Sequence, residues 1–150
     1  MSIRVKIDAT SQLKKMAKKL EKIEEAVKVE SLMKVMNRLG TIWTGDIKQG
    51  FLNSRDPYGQ SWAALKNPSN KRGGLSAKPL LDRGRLVGSI DFVTQDNKLI
   101  ISTNVNYAEY HQDGTARIRK RAFLPDERGL PDKFKNDLEQ ALESILKNMI

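Results

Sequence analysis

The run from Ser89 to Thr103 constrains this chain most. Ser89-Ile90-Asp91-Phe92-Val93-Thr94 and Lys98-Leu99-Ile100-Ile101-Ser102-Thr103 read as strands, and Gln95-Asp96-Asn97 between them makes a tight hairpin. A third strand is available near the start, where Ile3, Val5 and Ile7 alternate with Arg4, Lys6 and Asp8. Helical stripes lie on both sides of the hairpin. Leu13, Met16, Ala17, Leu20, Ile23 and Val27 form the first, with Asp8, Thr10 and Ser11 as candidate caps. Val29-Glu30-Ser31 breaks the register, and a second stripe runs from Leu32 through Val35, Met36, Leu39, Ile42, Trp43 and Ile47 to Phe51. Pro131 suits a helix start, and Phe134, Leu138, Ala141, Leu142, Ile145, Leu146 and Met149 carry a third stripe. The expected fold class is α+β: an antiparallel β-sheet with a hairpin, packed against long amphipathic helices, two before the hairpin and one after it.

Between the second helix and the hairpin the chain is irregular. Asn53 to Gly59 is turn chemistry, and Asp82 is a candidate cap for a short helix through Leu86. Trp62 is expected to plug the core with its N–H on a carbonyl. Gly40 and Gly45 inside the second helix predict close packing or a bend. The stretch from Lys66 to Pro79 is long, has no apolar period and carries Lys66, Lys71, Arg72 and Lys78 without an acid. It is expected to be a flexible loop of one domain spanning 1–150.

After the hairpin comes a dense corner, Asn104 to Pro125. Tyr107, Tyr110 and His111 have helical spacing that puts them on one face, and Gly114 offers a left-handed stop. Arg117, Arg119, Lys120 and Arg121 then place four cations in five residues, and Phe123-Leu124 anchors the run. His111 has the carboxylates Glu109 and Asp113 beside it, an arrangement a histidine general base with a carboxylate orienter could use. It is the only histidine, and there is no cysteine to supply a thiolate or complete a familiar metal spacing. The expectation is therefore a structural His111, hydrogen-bonded under the hairpin, with no enzymatic activity, cofactor or metal. One buried cluster is expected to include Trp62, Leu86, Ile90, Phe92, Ile100, Tyr107 and Phe123.

The corner also carries a resemblance. Tyr107-Ala108, His111-Gln112, Gly114 and then Arg121-x-Phe123-Leu124 resemble the signature of the phage virion morphogenesis family, the tail-completion proteins of Mu-like phages and prophages. Asp56-Pro57-Tyr58-Gly59 with Trp62 and Leu65 is similar to a second family segment. Leu81, Gly84, Leu86 and Ser89-Ile90 are similar to a third. The three stretches occur in the family's order. The resemblance implies a structural assembly protein acting in tail completion or head–tail joining. It implies a homo-oligomeric ring, a hexamer being one form, that contacts phage tail or connector proteins. It places the protein in the host bacterial cytoplasm during assembly and then in the virion tail or neck.

Charge leaves a second class open. With 27 Lys+Arg against 18 Asp+Glu the net charge is +9, which favours an acidic partner: nucleic acid, an acidic protein surface or an anionic membrane. The candidate partner-binding residues are Lys66, Lys71, Arg72 and Lys78 in the loop and Arg117, Arg119, Lys120 and Arg121 in the corner. The alternative to assembly is a basic, non-specific nucleic-acid-binding protein, in which these cations meet phosphates and Tyr107 or Tyr110 stacks a base. No apolar run is long enough for a transmembrane helix, and no membrane contact is expected.

Overall fold

A computed structural model of the chain describes residues 3–8, 29–65, 78–81, 84–96 and 98–147. The expected helix from Leu13 to Val27, the loop residues Lys66, Lys71 and Arg72, and the cap Asp82 lie outside the described residues.

Three strands form one antiparallel sheet: β1 (Ile3–Asp8), β2 (Asp91–Gln95) and β3 (Lys98–Thr103), in the order β1-β3-β2. The register sets Val5 and Phe92 on either side of Ile101, and Ile7 and Thr94 on either side of Leu99. Because successive side chains alternate, this row faces the core and Lys6, Ile100 and Val93 share the other face. Leu99 and Ile101 are fully buried, whereas Ile100 is only partly so and Val93 is 57% exposed. Ile100 therefore does not belong to the expected cluster. Leu86, Ile90 and Phe123 are buried in it, and Trp62, Phe92 and Tyr107 pack against it half-buried.

Helix α1 (Val29–Asn53) lies over β2 and β3. It begins three residues before the expected start, so Val29-Glu30-Ser31 is helical rather than a break. Leu32, Met36, Leu39, Trp43 and Ile47 recur at three- and four-residue spacing and are buried on one side. Gly40 lies under the Phe92 ring, where a Cβ would come within 2.3 Å of Cδ2. Only a glycine lets β2 approach the helix so closely. Gly45, by contrast, faces open space. Thr94 Oγ1 donates to Asn37 Oδ1 at 2.8 Å and fixes the same approach from the strand side.

Helix α2 (Arg85–Ser89) is one short turn, and the chain enters β2 only at Asp91. The strand expected from Ser89 thus starts later, because Ser89 Oγ caps the turn by donating to Leu86 O at 2.6 Å. Helix α3 (Ala108–Asp113) forms the corner. Helix α4 (Asp132–Lys147) packs on α1. Trp43 stacks flat on Phe134 with ring centroids 4.7 Å apart, and its Nε1 donates to Asp137 Oδ2 at 3.0 Å. An aromatic pair of this kind adds roughly 0.5–1.5 kcal/mol beyond its burial. Lys133 closes the seam by donating to Asp46 and Asp137 at 2.6 and 2.7 Å.

Candidate functional site

The three motif stretches meet at the corner, and named side chains join them. Gln112 is the centre of that junction. It is buried, its Oε1 accepts the backbone N–H groups of Phe123 and Leu124, both at 3.0 Å, and its Nε2 donates to Leu124 O at 2.8 Å. A side-chain amide thus satisfies a segment that has no strand neighbour of its own. Phe123 and Leu124 are thereby held in the core as the sequence predicts, with Phe123 5.4 Å from Phe51 between ring centroids.

Trp62 and Arg121 tie the Asp56–Leu65 stretch to the same segment. Trp62 Nε1 donates to Ala122 O at 2.8 Å, the carbonyl that its N–H was expected to find. Arg121 Nε and Nη2 donate to Ala63 O at 2.9 Å and Ala64 O at 3.1 Å. The Leu81–Ile90 stretch enters from the other side. Leu81, Leu86 and Ile90 are buried, and the Ser89 and Thr103 hydroxyls share a 2.6 Å hydrogen bond at the start of the corner.

Two turns of the same form meet below. Asp56 Oδ1 accepts from Tyr58 N at 2.9 Å, and Asp126 Oδ1 accepts from Arg128 N at 3.0 Å. Each turn ends on a glycine with positive φ, Gly59 at 88° and Gly129 at 94°. Arg128 clamps both: it meets Asp126 through Nε and Nη2 at 2.9 and 2.8 Å, and Asp56 Oδ2 through Nη1 at 3.1 Å. Its guanidinium also lies 3.9 Å over the Tyr58 ring. The Tyr58 hydroxyl donates to Gly129 O and accepts from Asp126 N. Bidentate bonding by Arg128 pulls the Asp126 carboxyl down to about 2. Asp56, Asp126 and Arg128 carried no sequence expectation as a group. The usable signal is the repeated Asp-x-x-Gly at Asp56 and Asp126, which marks two turns but not their meeting.

A cleft of about 450 Å³ opens beside these turns, between Tyr58, Arg55 and the start of α4, with Phe123, Phe134 and Ile47 in its wall. Its charged groups are largely paired with each other: Arg128 with Asp56, and Lys133 with Asp46. Among the described residues no group of three His, Cys, Asp or Glu side chains is placed to hold a metal ion, and no helix is long and apolar enough to cross a membrane.

His111 is not where the sequence puts its bonds. Its ring is half-buried, meets the edge of Tyr107 at 6.0 Å, and leaves Nδ1 buried without a hydrogen-bond partner. Burial pushes the imidazole below its ordinary range, and the positive charge of Arg121 pushes it further the same way. The backbone carbonyl of His111 does the bonding, accepting from Arg121 N at 2.8 Å. Tyr110 leaves the shared face and is 52% exposed. Gly114 does stop α3 with φ of 76°, and its missing Cβ leaves room for Lys120 N, which would otherwise be 2.9 Å away.

The basic residues fall into three states. Arg121 is bound to carbonyls, as above. Lys120 lies 3.6 Å from Asp126 and 3.5 Å from Glu127. Arg117 and Arg119 are exposed, and neither forms an ion pair among the described residues. Lys78, at the end of the expected loop, is exposed and donates to Leu52 O at 2.9 Å. The structure brings the corner cations together on one short turn and sets Lys78 against the end of α1.

Fold and junction together define the class: an α+β protein in which the Asp56–Leu65 stretch is hydrogen-bonded to the corner beside a buried amide and the Leu81–Ile90 stretch packs into the same core. The chain belongs to the phage virion morphogenesis family, whose model matches residues 8–148. Comparison with curated proteins and with solved structures gives no match. Membership supports a structural role in phage assembly for a virion-associated protein.

Proposed function

We propose that this protein is a tail-completion or head–tail joining subunit, acting by association with its own copies and with a tail or connector protein. Its mechanism is binding. The observation that carries this reading is the family membership over residues 8–148, taken with a signature whose residues are engaged in internal bonding. Gln112, Arg121, Trp62 and Asp56 hold the corner rigid, which lowers the ordering cost of docking it. The surface it offers among the described residues is the turn with Arg117, Arg119 and Lys120, and Lys66, Lys71, Arg72 and Lys78 are the further partner-binding residues that the sequence suggests.

Disruption of the gene in an inducible phage tests it. Electron microscopy of the lysate is expected to show heads and tails unjoined or tails of abnormal length, with complementation restoring particles. Normal, infectious particles from the disrupted phage would refute the reading. Nucleic-acid binding remains the second reading, favoured by exposed Tyr110 on the helix next to the exposed Arg117 and Arg119. It predicts a retarded DNA band whose affinity falls steeply with salt.

A further inference from the structure

We propose that the Arg117–Arg119 turn of one copy docks on the outer face of α4 of a second copy, against Glu139 and Glu143. This rests on the reading that the subunits self-associate, and it names the surfaces that do so.

The turn is built to hold its charges out. Thr115 Oγ1 accepts from Arg117 N at 3.2 Å and Ile118 N at 2.9 Å, and Thr115 N donates to Ile118 O at 2.8 Å. Gly114 packs against Lys120 on one side, and Arg121 is bound to Ala63 and Ala64 on the other. A backbone fixed at both ends loses little freedom on binding. Yet Arg117 and Arg119 meet no acid of their own chain among the described residues. They sit beside Lys120 and Arg121, so mutual repulsion favours an external anionic partner.

Helix α4 supplies the complement. Its inner side carries Phe134, Leu138 and Leu142 into the core. Asp132, Asn136, Glu139 and Glu143 follow one another at spacings of four, three and four, which sets them on one face, and all four are exposed. Lys133 leans to Asp46 and Asp137 and so leaves this face, while exposed Lys135 and Lys147 stand four residues before Glu139 and four after Glu143 at its two ends. Glu139 and Glu143 form no ion pair among the described residues. In a chain of net charge +9, two adjacent unpaired glutamates at the middle of an exposed helix face match the same chain's unpaired arginines and would repel a phosphate backbone. Each copy thus offers one donor surface and one acceptor surface. Contacts of that kind repeat head to tail from copy to copy, closing into a ring where the rotation between copies allows it.

Charge exchange tests the pairing in the full chain. Light scattering at several concentrations and salt levels would follow wild type, R117E/R119E, E139R/E143R, a 1:1 mixture of these two variants, and the single chain carrying all four changes. Circular dichroism would confirm that each is folded. Each variant alone is expected to need about tenfold more protein for half-assembly, because exposed pairs contribute modestly one by one. The mixture and the fourfold variant are expected to recover wild-type assembly, since every reversed surface again meets its opposite. Wild-type assembly that is unmoved by either variant, or a mixture that does not recover, overturns the pairing while leaving self-association intact. A wild-type chain that stays monomeric at every concentration and salt level overturns the pairing and the self-association on which it rests. Unchanged mass in R117E/R119E with loss of DNA retardation assigns the turn to nucleic acid instead, and also overturns it.

Discussion

Gln112 does at the corner what a neighbouring strand does in a sheet. Two N–H groups and one carbonyl of the Phe123–Leu124 segment bond to its amide. Replacing it by alanine leaves three buried backbone groups unpaired, and each such group costs about 1–3 kcal/mol. Q112A is therefore expected to lose at least about 3 kcal/mol in denaturant melts; a loss below about 1 kcal/mol would show that water takes over these bonds. His111 acts differently. Its folded pKa lies below 6.5, from burial and then from Arg121, so the folded state prefers the neutral ring. The unfolded chain binds the proton more readily, so this contribution is complete above about pH 6.5 and is lost as pH falls toward the folded pKa. Wild type is expected to weaken between pH 7 and pH 5, and H111Q to lack that part of the slope. Equal slopes in the two proteins would place the titration elsewhere.

At the scale of elements, the two glycines of α1 separate. Gly40 sits under the Phe92 ring, whereas a Cβ at Gly45 would meet nothing within 4 Å. G45A is expected to stabilise by about 0.8–1 kcal/mol through helix propensity. G40A is expected to destabilise, because the displaced ring costs about 1–3 kcal/mol and outweighs the same propensity gain. A G40A melt shifted upward like that of G45A would refute the close α1–β2 approach. The paired Asp-x-x-Gly turns carry an acid signature. Asp126 is held near 2 against an ordinary 3.8, so its contribution is full above about pH 4 and is lost as pH falls toward 2. R128A is expected to start weaker at neutral pH and to lose less between pH 4 and pH 2; an unchanged acid limb would mean that the clamp does not form. Helices α1 and α4 and the hairpin were legible because their periods are long and regular. The inward face of β3 was not, since Leu99-Ile100-Ile101 is apolar at three successive positions and alternation cannot choose a face. The meeting of the two turns was hidden because each is written locally and their contact is not.

At the scale of the molecule, the sequence motifs pointed to the family before the geometry explained them. What reads as a chemical constellation around His111 is a joint: the histidine's carbonyl and its neighbour's amide do the bonding. The basic run looked uniform in sequence, yet Arg121 is bound inward, Lys120 is paired with acids, and Arg117 and Arg119 are left outward. Composition reports how many charges there are, and only the fold decides which remain available. The proposed association of this protein with copies of itself and with a tail or connector partner is read from molar mass. Light scattering should be measured on the protein alone and after mixing with the tail-tube or connector protein of the same phage. The expected result is a concentration-dependent multiple of 17.0 kDa alone and a heavier joint species in the mixture. A single species of 17.0 kDa at every concentration, unchanged by the partner, would contradict it.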